Sequence, residues 1–170
     1  MTDLTRRVAR LRVPAGYVFG AIAFWLATPT PRSLAIGAAV GAIGEGLRIW
    51  AAGHLEKGRE VTSTGPYALT RHPLYAGSIV MGAGLAIAAN NAVVAVLVGA
   101  YLAITITAAI RSEEAHLTAK FGGDYPAYRD GVGPAAARGF SVERAIRNRE
   151  YRALLGFLAV LLLLTARMSF

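Results

Sequence analysis

The chain has 170 residues, of which 55% are apolar and only 16% are charged, and its formal net charge is +8. A soluble domain of this length is rarely so apolar, which indicates a membrane protein with no room for a separate soluble domain. The chain contains no cysteine, which excludes disulfides, thiolate catalysis and cysteine-based metal sites, and we expect neither a metal nor a signal peptide.

Long apolar blocks alternate with polar segments along the chain and predict about five transmembrane helices. The blocks cover residues 14–28, 33–52, 73–89, 92–110 and 151–166. The last block is either a fifth span or a helix that lies partly in the bilayer. Polar loops are expected at 53–72 and 111–140, and a short charged interfacial helix at 141–152, with Ser141 as its N-cap. The pattern predicts a single all-α integral membrane domain over residues 1–170.

The distribution of basic residues predicts the orientation of these helices. If the N-terminus is cytoplasmic and five helices span, fifteen of the eighteen Lys and Arg residues lie on the cytoplasmic side. Arg32 and Arg167 then lie outside, and Arg48 lies within a span. This positive-inside pattern places both polar loops at the cytoplasmic face, and we expect a bacterial inner (plasma) membrane location. It also explains the net charge without a nucleic-acid partner. The oligomeric state is left open.

The second apolar block carries two glycines and two ionisable residues that would lie along one side of a helix. Gly37 and Gly41 have the small-xxx-small spacing that lets membrane helices approach closely. Glu45 and Arg48 continue along that side and are three residues apart, so that they can pair. Two interpretations stay open: a structural ion pair near the interface, or a contribution to a polar pocket inside the bundle.

Residues 65–77 are the richest segment in chemically active side chains. Pro73 disfavours the α conformation at His72 and is itself favoured at the first helical position, so that a helix is expected to begin there. Arg71 and His72 then lie at the mouth of a membrane helix. The plain alternative is an interface loop with snorkelling Arg and Tyr side chains.

Two further pairs of residues attract attention. Glu113 and Glu114 are adjacent, and neighbouring helical residues point about 100° apart. One carboxylate is expected to face a pocket and the other to pair with a basic residue such as Arg48, Arg71 or Arg111, unless both are solvated at a helix end. Gly82 and Gly84 lie inside the third block and serve either helix packing or close approach to a ligand.

Four motifs follow one another in order within residues 45–130. They are Gly65-Pro66-Tyr67, Arg71-His72-Pro73-Leu74-Tyr75-Ala76-Gly77, Glu113-Glu114, and Phe121-Gly122 with Tyr125 and Tyr128. Together they resemble the isoprenylcysteine carboxyl methyltransferase family, which is related to the phospholipid N-methyltransferases. The chain resembles a short, bacterial-type member.

The resemblance implies S-adenosylmethionine bound among the helices near the cytoplasmic face. The residues that it implies as catalytic are Arg71, His72 and Glu114. Those that it implies in cofactor binding are Arg71, His72, Tyr75, Gly82, Gly84, Glu113, Glu114, Tyr125 and Tyr128. The two tyrosines belong to a segment that closes over the site, and one of the glycines gives close backbone approach.

The implied reaction is methyl transfer to a lipid-like or hydrophobic acceptor, with either a carboxylate or an amine as the methylated group. Two other functions are possible. Membrane sterol reductases share a similar C-terminal core, so that a NADPH-dependent reductase is one alternative. The other is a non-catalytic membrane scaffold of the same fold.

Overall fold

A computed structural model describes residues 16–129 and 139–169 of the chain. Within these ranges every regular element is helical. The α-helices are α1 (Gly16–Leu26), α2 (Pro31–His54), α3 (Pro73–Ala89), α4 (Ala92–Phe121), α5 (Asp124–Arg129), α6 (Val142–Arg147) and α7 (Tyr151–Arg167), and a 3-10 helix covers Gly65–Ala68. The prediction of an all-α protein is confirmed.

Local capping rules explain where the long helices begin. Thr30 caps α2 in a reciprocal arrangement: its hydroxyl accepts from the Ser33 amide, and the Ser33 hydroxyl accepts from the Thr30 amide. Asn91 caps α4 and accepts from two backbone amides. The preceding residue, Asn90, takes the left-handed conformation at φ 51°, which asparagine tolerates. The predicted tight turn at Asn90-Asn91 is therefore confirmed.

Helices α2 and α3 pack closely because glycines line their contact. A side chain on Gly37 would collide with the α3 backbone at Gly84, and one on Gly44 would collide with Gly77. Gly41 leaves the space that the ring of Phe157 in α7 fills. The small-residue spacing predicted from the sequence thus serves the contact of α2 with both α3 and α7.

A small apolar core closes the bundle at the end where α3 stops and α4 starts. It consists of Ala27, Ala88, Ala89, Val94 and Leu164, all buried. The chain between α1 and α2 joins this core through hydrogen bonds to the α3–α4 turn, including one from the Thr28 amide to the Ala89 carbonyl at 2.9 Å. The other end of the bundle, where α3 begins, carries the polar segments.

Two of the helices, α2 and α4, are long and apolar enough to cross a membrane, whereas α1 and α3 are shorter apolar helices. The helices coincide with the five predicted blocks to within a few residues, except that α4 continues to Phe121. The expected polar loop at 111–140 is therefore wrong for residues 111–121 and 124–129, which are helical. That five helices span the membrane stays a prediction.

Candidate active site

A cavity of about 450 Å³ lies at the end of the bundle where α3 begins. Its walls come from the segment after α2, the first turn of α3, the C-terminal third of α4 and one residue of α5. Its lining includes Tyr67, Arg71, His72, Tyr75, Glu113 and Tyr128, which all belong to the motifs found in the sequence. The fold thus brings together residues from all four motifs, which lie up to 61 positions apart in the chain.

His72 is placed by the start of α3. Pro73 is the first residue of the helix, and His72 precedes it with a non-helical backbone at φ −132° and ψ 56°. The His72 carbonyl accepts the first helical hydrogen bonds, from the amides of Tyr75 and Ala76. Its imidazole ring packs against the Tyr75 ring with centroids 5.8 Å apart. The predicted helix start at Pro73 is confirmed.

The two adjacent carboxylates of α4 have different surroundings. Glu114 Oε1 lies 3.2 Å from His72 Nε2, whereas Glu113 lines the cavity. This divergence agrees with the angle between neighbouring positions on a regular helix. The expected arginine partner for the second carboxylate was wrong. The partner is His72, because Arg48 is engaged elsewhere in the bundle and Arg71 lies at the cavity wall.

Two tyrosines, Tyr67 and Tyr128, line the cavity. The Tyr128 hydroxyl donates a hydrogen bond of 2.7 Å to the Tyr67 carbonyl, which ties α5 to the 3-10 helix. Burial, with a smaller contribution from the Glu113 carboxylate, holds the pKa of Tyr67 far above its usual value. Burial also raises the pKa of Tyr128, while the Arg71 guanidinium opposes the shift. Both phenols are therefore neutral near pH 7.

Arg71 is exposed at the wall of the cavity and close enough to Tyr128 to affect its pKa. Tyr125 belongs to α5, and its side chain lies outside the described residues. Across the part of the chain that the structure describes, no group of three or more His, Asp or Glu residues is arranged to hold a metal ion.

Gly82 and Gly84 are not among the residues that line the cavity. A side chain on Gly82 would meet Leu102 of α4, and one on Gly84 would meet the backbone of α2 at Gly37 and Gly41. Both glycines therefore permit close helix packing. The expectation that one of them gives a cofactor close access at this cavity does not agree with their positions.

Helix α6 and the residue that follows it bind the chain segment that forms one wall of the cavity. These contacts were not predicted from the sequence. Arg147 Nη2 lies 3.1 and 3.3 Å from the two carboxylate oxygens of Glu56, a residue of that wall. The Asn148 side-chain amide donates to the carbonyls of Ala52 and Leu55 at the end of α2. Asn148 thus satisfies carbonyl groups that a helix C-terminus leaves unpaired.

Arg48 is the centre of a buried ionic network behind the cavity. Its guanidinium lies 2.7 Å from Glu150 and 3.7 Å from Glu45, and it also bonds the Ser78 hydroxyl and the Leu74 carbonyl in α3. The predicted pairing of Arg48 with Glu45 is confirmed. Because only Leu74 of these residues lines the cavity, the network supports the first turn of α3 rather than forming the site.

A family model described as phospholipid methyltransferase matches residues 12–124, which is more than half of the chain. The chain belongs to this family. Membership implies methyltransferase activity at a membrane in general terms, and it agrees with the resemblance found in the sequence. No solved structure matches the chain.

One curated relative is a nickel-cobalt-cadmium resistance protein, NccN, from Alcaligenes xylosoxydans xylosoxydans. It is 34% identical over 76 residues, which amount to 44% of this chain and 36% of the relative. The chain therefore spans about a third of that protein's length. The likeness concerns a segment, and the metal resistance in its name belongs to the relative.

Proposed function

We propose that this phospholipid methyltransferase family member uses S-adenosylmethionine to methylate a lipid-like or hydrophobic acceptor. The observation that carries the proposal is the convergence of Arg71, His72, Tyr75, Glu113 and Tyr128 on one cavity. Three separate motifs supply them. By the distribution of basic residues, we place this cavity at the cytoplasmic face of a bacterial inner membrane.

The charges at the cavity suit the two ends of the amino-acid moiety of the cofactor. Arg71 supplies a guanidinium for a carboxylate, and its planar fork matches that group well. Glu113 supplies a carboxylate for an ammonium group or for ribose hydroxyls. The neutral phenols of Tyr67 and Tyr128 add polar groups to the wall of the cavity without adding charge. The wall thus offers one group of each sign for a zwitterion.

The cofactor supplies a methyl group on a positively charged sulfonium, which is already a strong electrophile. In the transfer the carbon–sulfur bond breaks as a bond from carbon to the acceptor oxygen or nitrogen forms. The principal task of the protein is to hold the acceptor in line with the methyl group. The N-terminal end of α3, which Pro73 and the Arg48 network hold in place, suits that task.

The protonation of the acceptor decides which side chains are needed. A carboxylate acceptor is already nucleophilic and needs no general base. An amine acceptor must first lose a proton, which a neutral imidazole can accept. Two histidines are available, His72 beside Glu114 and His116 in the cavity wall. Glu114 Oε1 lies 3.2 Å from His72 Nε2 and would hold that ring in position.

The apolar part of the wall favours a hydrophobic acceptor. Leu55, Val61, Leu74, Leu117 and Phe121 line the cavity beside the charged residues. Sites for small molecules commonly combine such an apolar lining with a few placed polar groups. An acceptor with an apolar tail and a polar reacting group matches both parts of the wall.

Calorimetric titration of the purified protein with S-adenosylmethionine tests the proposal. Arg71→Ala is expected to weaken binding by about tenfold, the effect of losing one partly exposed charged hydrogen bond. The matched control is Arg111→Ala, which removes the same charge from an exposed position of α4 outside the cavity. This control is expected to bind as the unmodified protein does.

Lack of binding to folded protein would reject the proposal. Binding of NADPH without binding of S-adenosylmethionine would favour the reductase alternative. If neither compound binds and alanine at Arg71, His72 and Glu114 leaves the cellular phenotype unchanged, the scaffold alternative gains.

A further inference from the structure

A second cavity opens at the opposite end of the bundle. This groove has a volume of about 770 Å³ and runs between the start of α2, the end of α3 and the first half of α4. Most of its wall is apolar and made of small side chains. Apolar residues of this wall include Ile36, Ala83, Ala86, Ile87, Ala95 and Gly99.

The groove exists because α3 and α4 present small residues where they face each other beside α2. Ala83, Ala95 and Gly99 are all exposed, and a Cβ added to Gly99 would meet no atom within 4 Å. In a membrane such a groove faces lipid rather than water. An apolar wall that packs against no other atoms forgoes dispersion contacts, and a flexible hydrocarbon chain in the groove would supply them.

Arg32 gives the groove a charged mouth. Its side chain is exposed, and within residues 16–129 and 139–169 it makes no hydrogen bond or ion pair. The neighbouring amide groups are already used: Asn90 donates to the Thr28 carbonyl and Asn91 to the Leu26 carbonyl. No Asp or Glu lines the groove. The guanidinium is therefore the available group for an anion, and it matches a phosphate well.

We propose that the groove binds an anionic phospholipid, with an acyl chain between α2, α3 and α4 and the headgroup at Arg32. This site is separate from the candidate active site and does not depend on the proposed reaction. A second copy of the chain fits the groove less well. In a two-fold dimer about the membrane normal, both Arg32 side chains would lie at one level and repel each other at close range.

Native mass spectrometry of the protein released from detergent tests this assignment. The protein is first equilibrated with an equal mixture of phosphatidylglycerol and phosphatidylcholine that carry the same acyl chains. One basic residue near the headgroup is expected to give about a fivefold preference for the anionic lipid. Arg32→Gln is expected to abolish the preference while a lipid is still retained.

The matched control is Arg167→Gln, which removes the same charge at the same end of the bundle, at the end of α7 and outside the groove. It is expected to keep the fivefold preference. Gly99→Leu fills the groove from an open position and is expected to remove the retained lipid. Unchanged circular dichroism and melting temperature would show that each variant is folded.

Three results would overturn the proposal. One is an equal loss of preference in Arg167→Gln, which would indicate general surface charge. Another is full lipid retention in folded Gly99→Leu. The third is a dimer that Gly99→Leu converts to a monomer with lipid retention unchanged, since that would assign the groove to a second copy.

Discussion

The ionic network around Arg48 makes the sharpest prediction about stability. Arg48→Met keeps an aliphatic stem against Gly77, which the arginine side chain contacts, and removes only the charge and the hydrogen bonds. Glu45 and Glu150 would then lack their cation. Their side chains are 3% and 8% exposed, so that solvent replaces little of the lost interaction.

The expected loss follows from this burial. Removing one partner of a buried ion pair costs about 3–5 kcal/mol, because it leaves an uncompensated charge in the interior. Here two charges, those of Glu45 and Glu150, would be uncompensated. Neither Glu45 oxygen has a hydrogen-bond partner among the described residues. We therefore expect Arg48→Met to lower the free energy of unfolding by at least ~3 kcal/mol.

Equilibrium unfolding in detergent micelles, followed by helical circular dichroism, measures this loss. Arg111→Met is the matched control, because Arg111 is exposed on α4, and its effect is expected within ~0.5 kcal/mol. Adding Glu45→Gln and Glu150→Gln to Arg48→Met should recover most of the loss, since neutral amides remove the unpaired charge. An equal effect of the Arg48 and Arg111 variants, or no recovery in the triple variant, would refute the reasoning.

The remaining predictions concern the site and the helix contact. Glu114→Gln removes the negative charge beside its histidine partner, and calorimetry should show S-adenosylmethionine binding weakened by less than about tenfold, since the carboxylate is more than one third exposed. Tyr128→Phe breaks the bond to the Tyr67 carbonyl, and chemical unfolding should show a loss of about 1 kcal/mol. Because folding raises the pKa of both phenols, the folded protein holds these two protons more tightly than the unfolded chain does. The stability that the neutral phenols contribute is therefore complete below about pH 10 and is lost at higher pH, which unfolding across alkaline pH would show. Gly84→Ala should destabilise α2–α3 packing by about 1–3 kcal/mol in the same assay, whereas Gly20→Ala, which meets open space, should not.

Features set by neighbouring residues could be predicted from the sequence. Pro73 sets the start of α3, Asn90-Asn91 sets the turn to α4, and Ser141 caps α6 by accepting from the Arg144 amide. Each depends on a backbone preference that acts over three or four residues. The pairing of Glu45 with Arg48 is also local, since one helical turn brings them together.

Features set by contacts between distant segments could not be predicted. Glu56 and Arg147 are 91 positions apart, and nothing in either segment identifies the other. The partner of Glu114 was misassigned for a related reason. Charge alone favours an arginine, but the packing of α4 beside the start of α3 brings a histidine within 3.2 Å. Only the tertiary arrangement decides between candidates of similar chemistry.

The length of α4 connects the wrong loop prediction with the position of the site. Its 30 residues rise about 45 Å at 1.5 Å each, whereas the hydrocarbon core of a bilayer is about 30 Å thick. The apolar block ends at residue 110, so that in a spanning α4 the last three turns would extend beyond the hydrocarbon. The change in hydropathy at residue 111 therefore marks the expected edge of the membrane, not the end of the helix. A continuous helix can hold Glu113 at a fixed height and angle beside His72, whereas a loop would let the carboxylate move. The uninterrupted extension of α4 thus fixes the position of Glu113 relative to the start of α3.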